Sequence, residues 1–205
     1  MCPDRAGKKS TLFRILLGFE KPENGQIYFN EIGIDQLDIR SVRKQLGVVL
    51  QTGQLLIGSI YENIVGGNLN LSIDDAWEAA RKAGVKEDIE EMPMGMHTMV
   101  TEGASSLSGG QRQRLLIARA IASSPKIIFF DEATSALDNT TQQIVSNSIN
   151  QLEVTRISIA HRLSTIVDCD RIIVLDQGVI TEEGTYQELM ELNGTFCEMA
   201  QRQLA

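Results

Sequence analysis

The run Lys126-Ile127-Ile128-Phe129-Phe130 ends in an acidic pair, Asp131-Glu132. A stretch that is apolar on nearly every residue belongs to a strand buried on both faces, as in a parallel sheet. Two carboxylates where such a strand meets its loop are placed for metal and water chemistry. One can hold Mg²⁺ and the other can polarise a water; a solvated strand end would look the same. Upstream, Leu107-Ser108-Gly109-Gly110-Gln111 opens a helical pattern. Glycines at a helix start let backbone N–H groups approach an anion, and the helix dipole adds attraction; a flexible turn also accounts for them. Ser135-Ala136-Leu137-Asp138 follows the acidic pair, and His161 closes a second apolar run. Taken singly, His161 reads as a structural histidine, and Gln51, at the end of its own strand, is unremarkable.

These residues need elements to hold them. Residues 10–18 read as a helix with Leu12, Ile15 and Leu16 on one face and Gly18 ending it. Residues 26–29, 46–50, 126–130 and 156–160 read as strands, the last two as buried ones. Residues 72–82 form an amphipathic helix opened by a Ser72/Asp75 capping pattern. Another helix covers 109–122 and stops before Pro125. Residues 171–175 and 178–181 flank Asp176-Gln177 as a hairpin, and the tail from 186 is helical, broken at Gly194. Alternating strands and helices predict an α/β fold with a mainly parallel sheet.

Composition narrows the function. In 205 residues, 19 Lys and Arg face 27 Asp and Glu, a net charge of −8. A pI near 4.8 argues against a nucleic-acid partner and against a polybasic membrane-surface protein. No stretch reaches the ~18 apolar residues of a spanning helix. Cys2, Cys169 and Cys197 are an odd, scattered set that suits the reducing cytosol better than a disulfide framework. Met92, Met94, Met96, His97 and Met99 could form a soft-ligand cluster for Cu(I), but flexible methionines packing against a moving partner explain them better.

In this order the motifs closely resemble the nucleotide-binding domain of an ABC transporter. Gln51 matches the Q-loop, Leu107 to Gln111 the signature motif, and Ile127 to Asp131 the Walker B strand. Glu132 matches the catalytic glutamate, Ser135 to Asp138 the D-loop and His161 the switch histidine. The resemblance implies a P-loop NTPase (RecA-like) core, residues 1–53 and 119–205, with an inserted helical, signature-bearing subdomain, 54–118. It implies ATP and Mg²⁺ as ligands and a second such domain as a head-to-tail partner. Asp131, Ser10 and Gln51 would surround Mg²⁺, Glu132 would be the general base, and His161 would contact the γ-phosphate. Gly7, Lys8, Lys9, Ser10 and Thr11 would bind phosphates. Ser108, Gly109, Gly110, Gln111 and Asp138 would serve the nucleotide shared with the partner. Thr101-Glu102-Gly103 resembles the exporter loop that senses a membrane domain, which would place the chain at the cytoplasmic face of the membrane. Gly95 to Thr98 and Gln111 to Ala118 look like peptide and bacteriocin exporters of the nitrile-hydratase-type leader-peptide group.

The phosphate loop departs from the family pattern G-x-x-x-x-G-K-[ST], whose glycines let backbone N–H groups wrap the phosphates. Here the segment reads Cys2-Pro3-Asp4-Arg5-Ala6-Gly7-Lys8-Lys9-Ser10-Thr11. Counted from Gly18, the phosphate lysine is Lys9, and Lys8 takes the place of the last glycine. Counted from Cys2-Pro3, it is Lys8, and Lys9 replaces the Mg²⁺-binding hydroxyl. The first register is preferred because Ser10 and Thr11 then open the helix. Against the family, the sequence also reads as lacking the N-terminal strands and the adenine-stacking aromatic residue, an N-terminally incomplete domain. A non-catalytic remnant with impaired nucleotide binding is therefore the second reading. A non-transport ABC ATPase is the third, since neither heptad coiled coils nor basic patches are present.

Overall fold

A computed structural model of the chain describes residues 6–50, 52–104, 107–131, 145–146, 149–150, 152, 154–160 and 162–204. Contacts within the chain divide it into two units, residues 1–25 with 159–205, and residues 26–158.

The first unit begins with α1 (Ala6–Leu16). It starts before the expected Ser10, so Gly7, Lys8 and Lys9 have helical backbone. Glycine is rare here, and Ala and Lys are good helix formers, which favours continuing the helix backwards. Phe13 and Leu17, at i and i+4, form its buried stripe; Leu12, expected there, is exposed. The helix ends as predicted at Gly18 (φ 69°). The Gly18 N–H donates to the Ile15 carbonyl (2.9 Å) and the Phe19 N–H to that of Arg14 (2.8 Å), the paired closure that a left-handed residue permits.

The larger unit contains a short hairpin, β1 (Tyr28–Phe29) and β2 (Ile32–Gly33). Asn30 and Glu31 both have positive φ between them, as a two-residue type I′ turn requires. After α2 (Ile39–Arg43) comes β3 (Leu46–Val49). A small ribbon and a helical group follow: β4 (Gly58–Ser59), α3 (Ile60–Val65), α4 (Ile73–Lys82), α5 (Lys86–Glu90) and β5 (Met99–Val100). The unit continues with α6 (Gly109–Ala122), β6 (Ile127–Asp131) and β7 (Thr155–Ile159).

The central sheet runs β3-β6-β7. β3 and β6 are parallel, with Leu46 opposite Ile127 and Val49 opposite Phe130. β6 is buried along nearly its whole length, as its apolar run demands. β7 is not: Arg156 and Ser158 are exposed, and among the described residues β7 is an end strand of this sheet. β4 and β5 form an antiparallel ribbon that the sequence did not announce. Ile60, Ile64, Ala76, Ala80, Leu115 and Ile117 meet in one core with Val49, Ile128 and Phe130. α6 lies directly on β3 over Gly47. A Cβ there would stand 2.4 Å from the Ala120 carbonyl oxygen and 3.1 Å from Pro125 Cγ, so only glycine admits this approach.

The first unit resumes with the hairpin β8 (Ile172–Asp176) and β9 (Val179–Gly184). Its turn residues are Gln177 and Gly178, one position later than expected. Both have positive φ, which suits Gly178 and excludes Asp176 from the turn centre. α7 (Tyr186–Glu191) is opened by a Thr185/Glu188 capping box. α8 (Thr195–Leu204) begins where the Glu182 carboxylate accepts from the Thr195 and Phe196 N–H groups at 2.5 and 3.0 Å. A Cβ on Gly194 would stand 2.4 Å from that carboxylate, so a larger residue there would have to displace the Glu182 side chain. Ile172, Val174, Leu189, Phe196 and Ala200 form this unit's own core.

Candidate functional site

Asp131 is the last residue of β6 and is 8% exposed. It stands one position past the Val49–Phe130 pair, at the carboxyl end of two parallel strands, where open α/β sheets bind ligands. Of the three Mg²⁺ ligands that the resemblance implies, Asp131 is the one whose side chain is described. A carboxylate at the rim of an apolar strand is the hard oxygen donor that Mg²⁺ takes, so the residue present fits that ion. Ser10 lies in α1 with Gly7, Lys8 and Lys9, and Thr11 after them is exposed. Gln51, Glu132, Ser135 to Asp138 and His161 lie outside the described residues.

The signature residues are described in full. Ser108 caps α6 through a reciprocal box: its Oγ accepts from the Gln111 N–H (3.1 Å), and Gln111 Oε1 accepts from the Ser108 N–H (2.9 Å). Gln111 Nε2 donates to Asp88 Oδ1 at 2.8 Å, and Arg114 reaches Asp88 Oδ2 at 2.9 Å. Ser108 and Gly109 remain exposed. A Cβ at Gly109 would meet nothing within 4 Å among the described residues. Neither backbone conformation nor packing among the described residues therefore requires glycine there, although glycine weakens a helix. Buried Arg112 Nε, Gln113 Nε2 and Arg114 Nε have no hydrogen-bond partner among the described residues.

A second polar centre was not visible in the sequence. Asn63, 2% exposed, accepts from the Leu56 N–H (2.8 Å) and donates to the Leu56 and Ser59 carbonyls (2.8 and 3.0 Å). Arg119 of α6 donates to the Asn63 carbonyl (2.6 Å) and to the Gln54 carbonyl (3.1 Å). Burial holds the Arg119 pKa below the usual arginine range. The signature helix is thereby tied to the segment that follows Gln51. The Ser59/Glu62 capping box was the one sequence signal that could have located α3 and hence Asn63.

The methionine and histidine group does not converge on a metal. Met96 is in the core while Met94 and Met99 are exposed. Among the described residues no group of three or more His, Cys, Asp or Glu could hold an ion, and no helix is long and apolar enough to cross a membrane.

The ABC transporter family model matches residues 6–135. The chain belongs to the ABC transporter family. It is an ATPase domain of the exporter type. It is 43% identical over 190 residues to the mitochondrial iron–sulfur clusters transporter ABCB7 of Oryzias latipes, covering 92% of this chain and 26% of that protein. It is 46% identical over 184 residues to the alpha-hemolysin translocation ATP-binding protein HlyB of Escherichia coli O157:H7, covering 89% and 26%. A solved bacterial Atm1-family ABC exporter with ATP bound superposes with a TM-score of 0.93 at 39% identity, covering 98% of this ABC domain and 36% of that chain. The domain thus spans about a quarter to a third of the length of these relatives.

Proposed function

We propose that this chain is the ATP-binding and ATP-hydrolysing motor of an ABC exporter, driving transport through a membrane domain. The observation that carries the reading is the signature turn: an exposed and capped helix start at which a Cβ on Gly109 would meet nothing within 4 Å among the described residues. The buried Asp131 carboxylate supports it. On this reading residues 1–53 and 119–205 are the nucleotide-binding core and 54–118 the signature subdomain.

The chemistry is phosphoryl transfer to water, in which positioning and electrostatics supply most of the rate. Lys9, with Gly7, Lys8, Ser10 and Thr11, binds the phosphates. Asp131, Ser10 and Gln51 hold Mg²⁺, which when bound neutralises charge on the phosphate oxygens. Glu132 accepts the proton of the attacking water, and His161 holds the γ-phosphate in line. Ser108, Gly109, Gly110 and Gln111, with Asp138, serve the nucleotide of a second domain paired head to tail. Thr101 to Gly103, all exposed, face the membrane domain at the cytoplasmic side.

The cargo we propose is a peptide. The support is the likeness of Gly95 to Thr98 and of Gln111 to Ala118 to peptide exporters, together with a relative whose name includes alpha-hemolysin translocation.

Equilibrium binding of Mg·ATP to the purified chain tests the motor. Micromolar affinity, with turnover lost and binding kept in Glu132→Gln, is the expected result. Absence of binding would leave the non-catalytic remnant instead, for which Lys8 at the last glycine position of the phosphate loop is the motive. For the cargo, turnover by the chain assembled with its membrane domain should rise on adding a leader-bearing peptide; indifference to peptide rejects that cargo.

A further inference from the structure

We propose that Asp88 is the positioning residue of the signature turn, holding Gln111 and Arg114 of α6 from the neighbouring helix α5. The inference rests on the reading above, in which Ser108 and Gly109 face a nucleotide on a partner domain, and it changes the part played by Gln111.

Gln111 uses both ends of its amide inside the chain. Its Oε1 accepts from the Ser108 N–H at 2.9 Å, and its Nε2 donates to Asp88 Oδ1 at 2.8 Å. An amide engaged at both ends is not the group that reaches outward to a phosphate. The other Asp88 oxygen takes Arg114 at 2.9 Å, with both side chains largely buried at 25% and 15% exposure. One carboxylate therefore grips two residues three positions apart on α6, one turn of the helix. The first grip fixes the capping box and the second fixes the helix that carries it. A charge-assisted hydrogen bond to a half-buried carboxylate is among the stronger polar contacts a protein makes. Among the described residues, what stays free at the end of this chain of contacts is the exposed Ser108 hydroxyl proton and the Gly109 N–H. Gln111 is thus a positioning residue too: it transmits the hold of Asp88 to Ser108.

The placement has a kinetic consequence. If the turn acts on the partner's nucleotide, loosening it leaves each domain's own ATP affinity intact and slows only the step that needs the assembled pair.

The test uses the full chain as parent, Asp88→Ala and Asp88→Asn. Asparagine keeps an acceptor for Gln111 Nε2 and loses the charge that holds Arg114. Amide hydrogen exchange of Ser108 and Gln111 should rise by about 10-fold, the equivalent of ~1.4 kcal/mol, in Asp88→Ala and less in Asp88→Asn. The amides of Leu115, Leu116 and Ile117 should not change. Mg·ATP dissociation constants should stay within about 2-fold of the parent while kcat for hydrolysis falls by ~10-fold or more. Unchanged exchange at Ser108 and Gln111 overturns the proposal, as does a variant that loses ATP affinity while keeping kcat. Should Asp88→Ala fail to fold, Asp88→Asn carries the same comparison. A parent that binds no ATP would defeat the motor reading alone, because the exchange readout decides the role of Asp88 without nucleotide.

Discussion

Arg119 Nε donates to the backbone carbonyl of Asn63 across 2.6 Å, joining two residues that lie 56 positions apart in sequence. Asn63 in turn holds both polar groups of Leu56. Through this pair the signature helix α6 is bolted to the segment behind Gln51, so displacing either should be felt by the other.

Asn63→Ala should therefore be severe. It strips a partner from the Leu56 N–H, from the Leu56 and Ser59 carbonyls and from Arg119 Nη2, which donates to Asn63 Oδ1 at 2.5 Å. Each buried group left unsatisfied costs ~1–3 kcal/mol, so a total of at least ~3 kcal/mol is expected. That is a large share of the ~5–15 kcal/mol of a typical domain. Urea unfolding measures it, and a loss under ~1 kcal/mol would mean that water replaces these contacts.

Gly47→Ala should destabilise for a different reason. The added methyl meets the Ala120 carbonyl at 2.4 Å, a backbone atom that cannot rotate away. Forcing α6 off β3 is expected to cost ~2–3 kcal/mol. Gly33→Ala is the control, because its Cβ would meet nothing within 4 Å. Thermal unfolding should separate the two variants clearly, and equal melting temperatures would contradict the close approach of α6.

Gly109→Ala should split stability from activity. The added methyl has open space and a helical position to occupy, so stability should hold or rise by up to ~1 kcal/mol. On the proposed function hydrolysis should fall, because the methyl would stand where a partner's nucleotide approaches. Full activity in Gly109→Ala would remove the argument that this glycine serves a partner.

Ser108 separates capping from contact. Ser108→Ala should cost ~1 kcal/mol as a lost cap, and Ser108→Gly only a few tenths. Both remove the hydroxyl, so both should lower hydrolysis equally. If glycine restores turnover as it restores stability, the hydroxyl acts through folding alone.

Glu78 provides a pH signature. Its side-chain hydrogen bond to Arg81, helped by that residue's charge, lowers its pKa from 4.5 to about 2. A carboxyl depressed in the folded state contributes stability above its unfolded pKa and loses it as pH falls. The contribution is thus complete above about 4.5 and fades toward about 2. The pair is half-exposed, so the effect is small and salt-screened. Melting curves of Glu78→Gln and parent should differ at neutral pH and converge as pH falls toward 2. A constant difference across that window would mean that Glu78 acts by packing.

The sequence by itself determined the family, the α/β class and the local devices. Asp131 at the end of an apolar run, the Ser72/Asp75 cap and the Gly18 stop are all written in neighbouring residues. Their physics acts within one turn or one strand, so a reader of the chain can follow it. The hairpin turn was legible to within one residue, because Gln177-Gly178 and Asp176-Gln177 differ only in which pair takes positive φ. Tertiary structure alone decided the rest. Phe13 and Leu17, not Leu12, face the core because burial depends on what lies opposite. β7 exposes Arg156 and Ser158 because what covers a strand's face is set by the fold and not by the strand's own residues. Gly47 must be glycine only because α6 lies on it. Asp88, Asn63 and Arg119 carry no motif and look like ordinary polar residues on helices. Their importance arises when folding brings residues tens of positions apart within hydrogen-bond distance and takes away the water that would otherwise satisfy them.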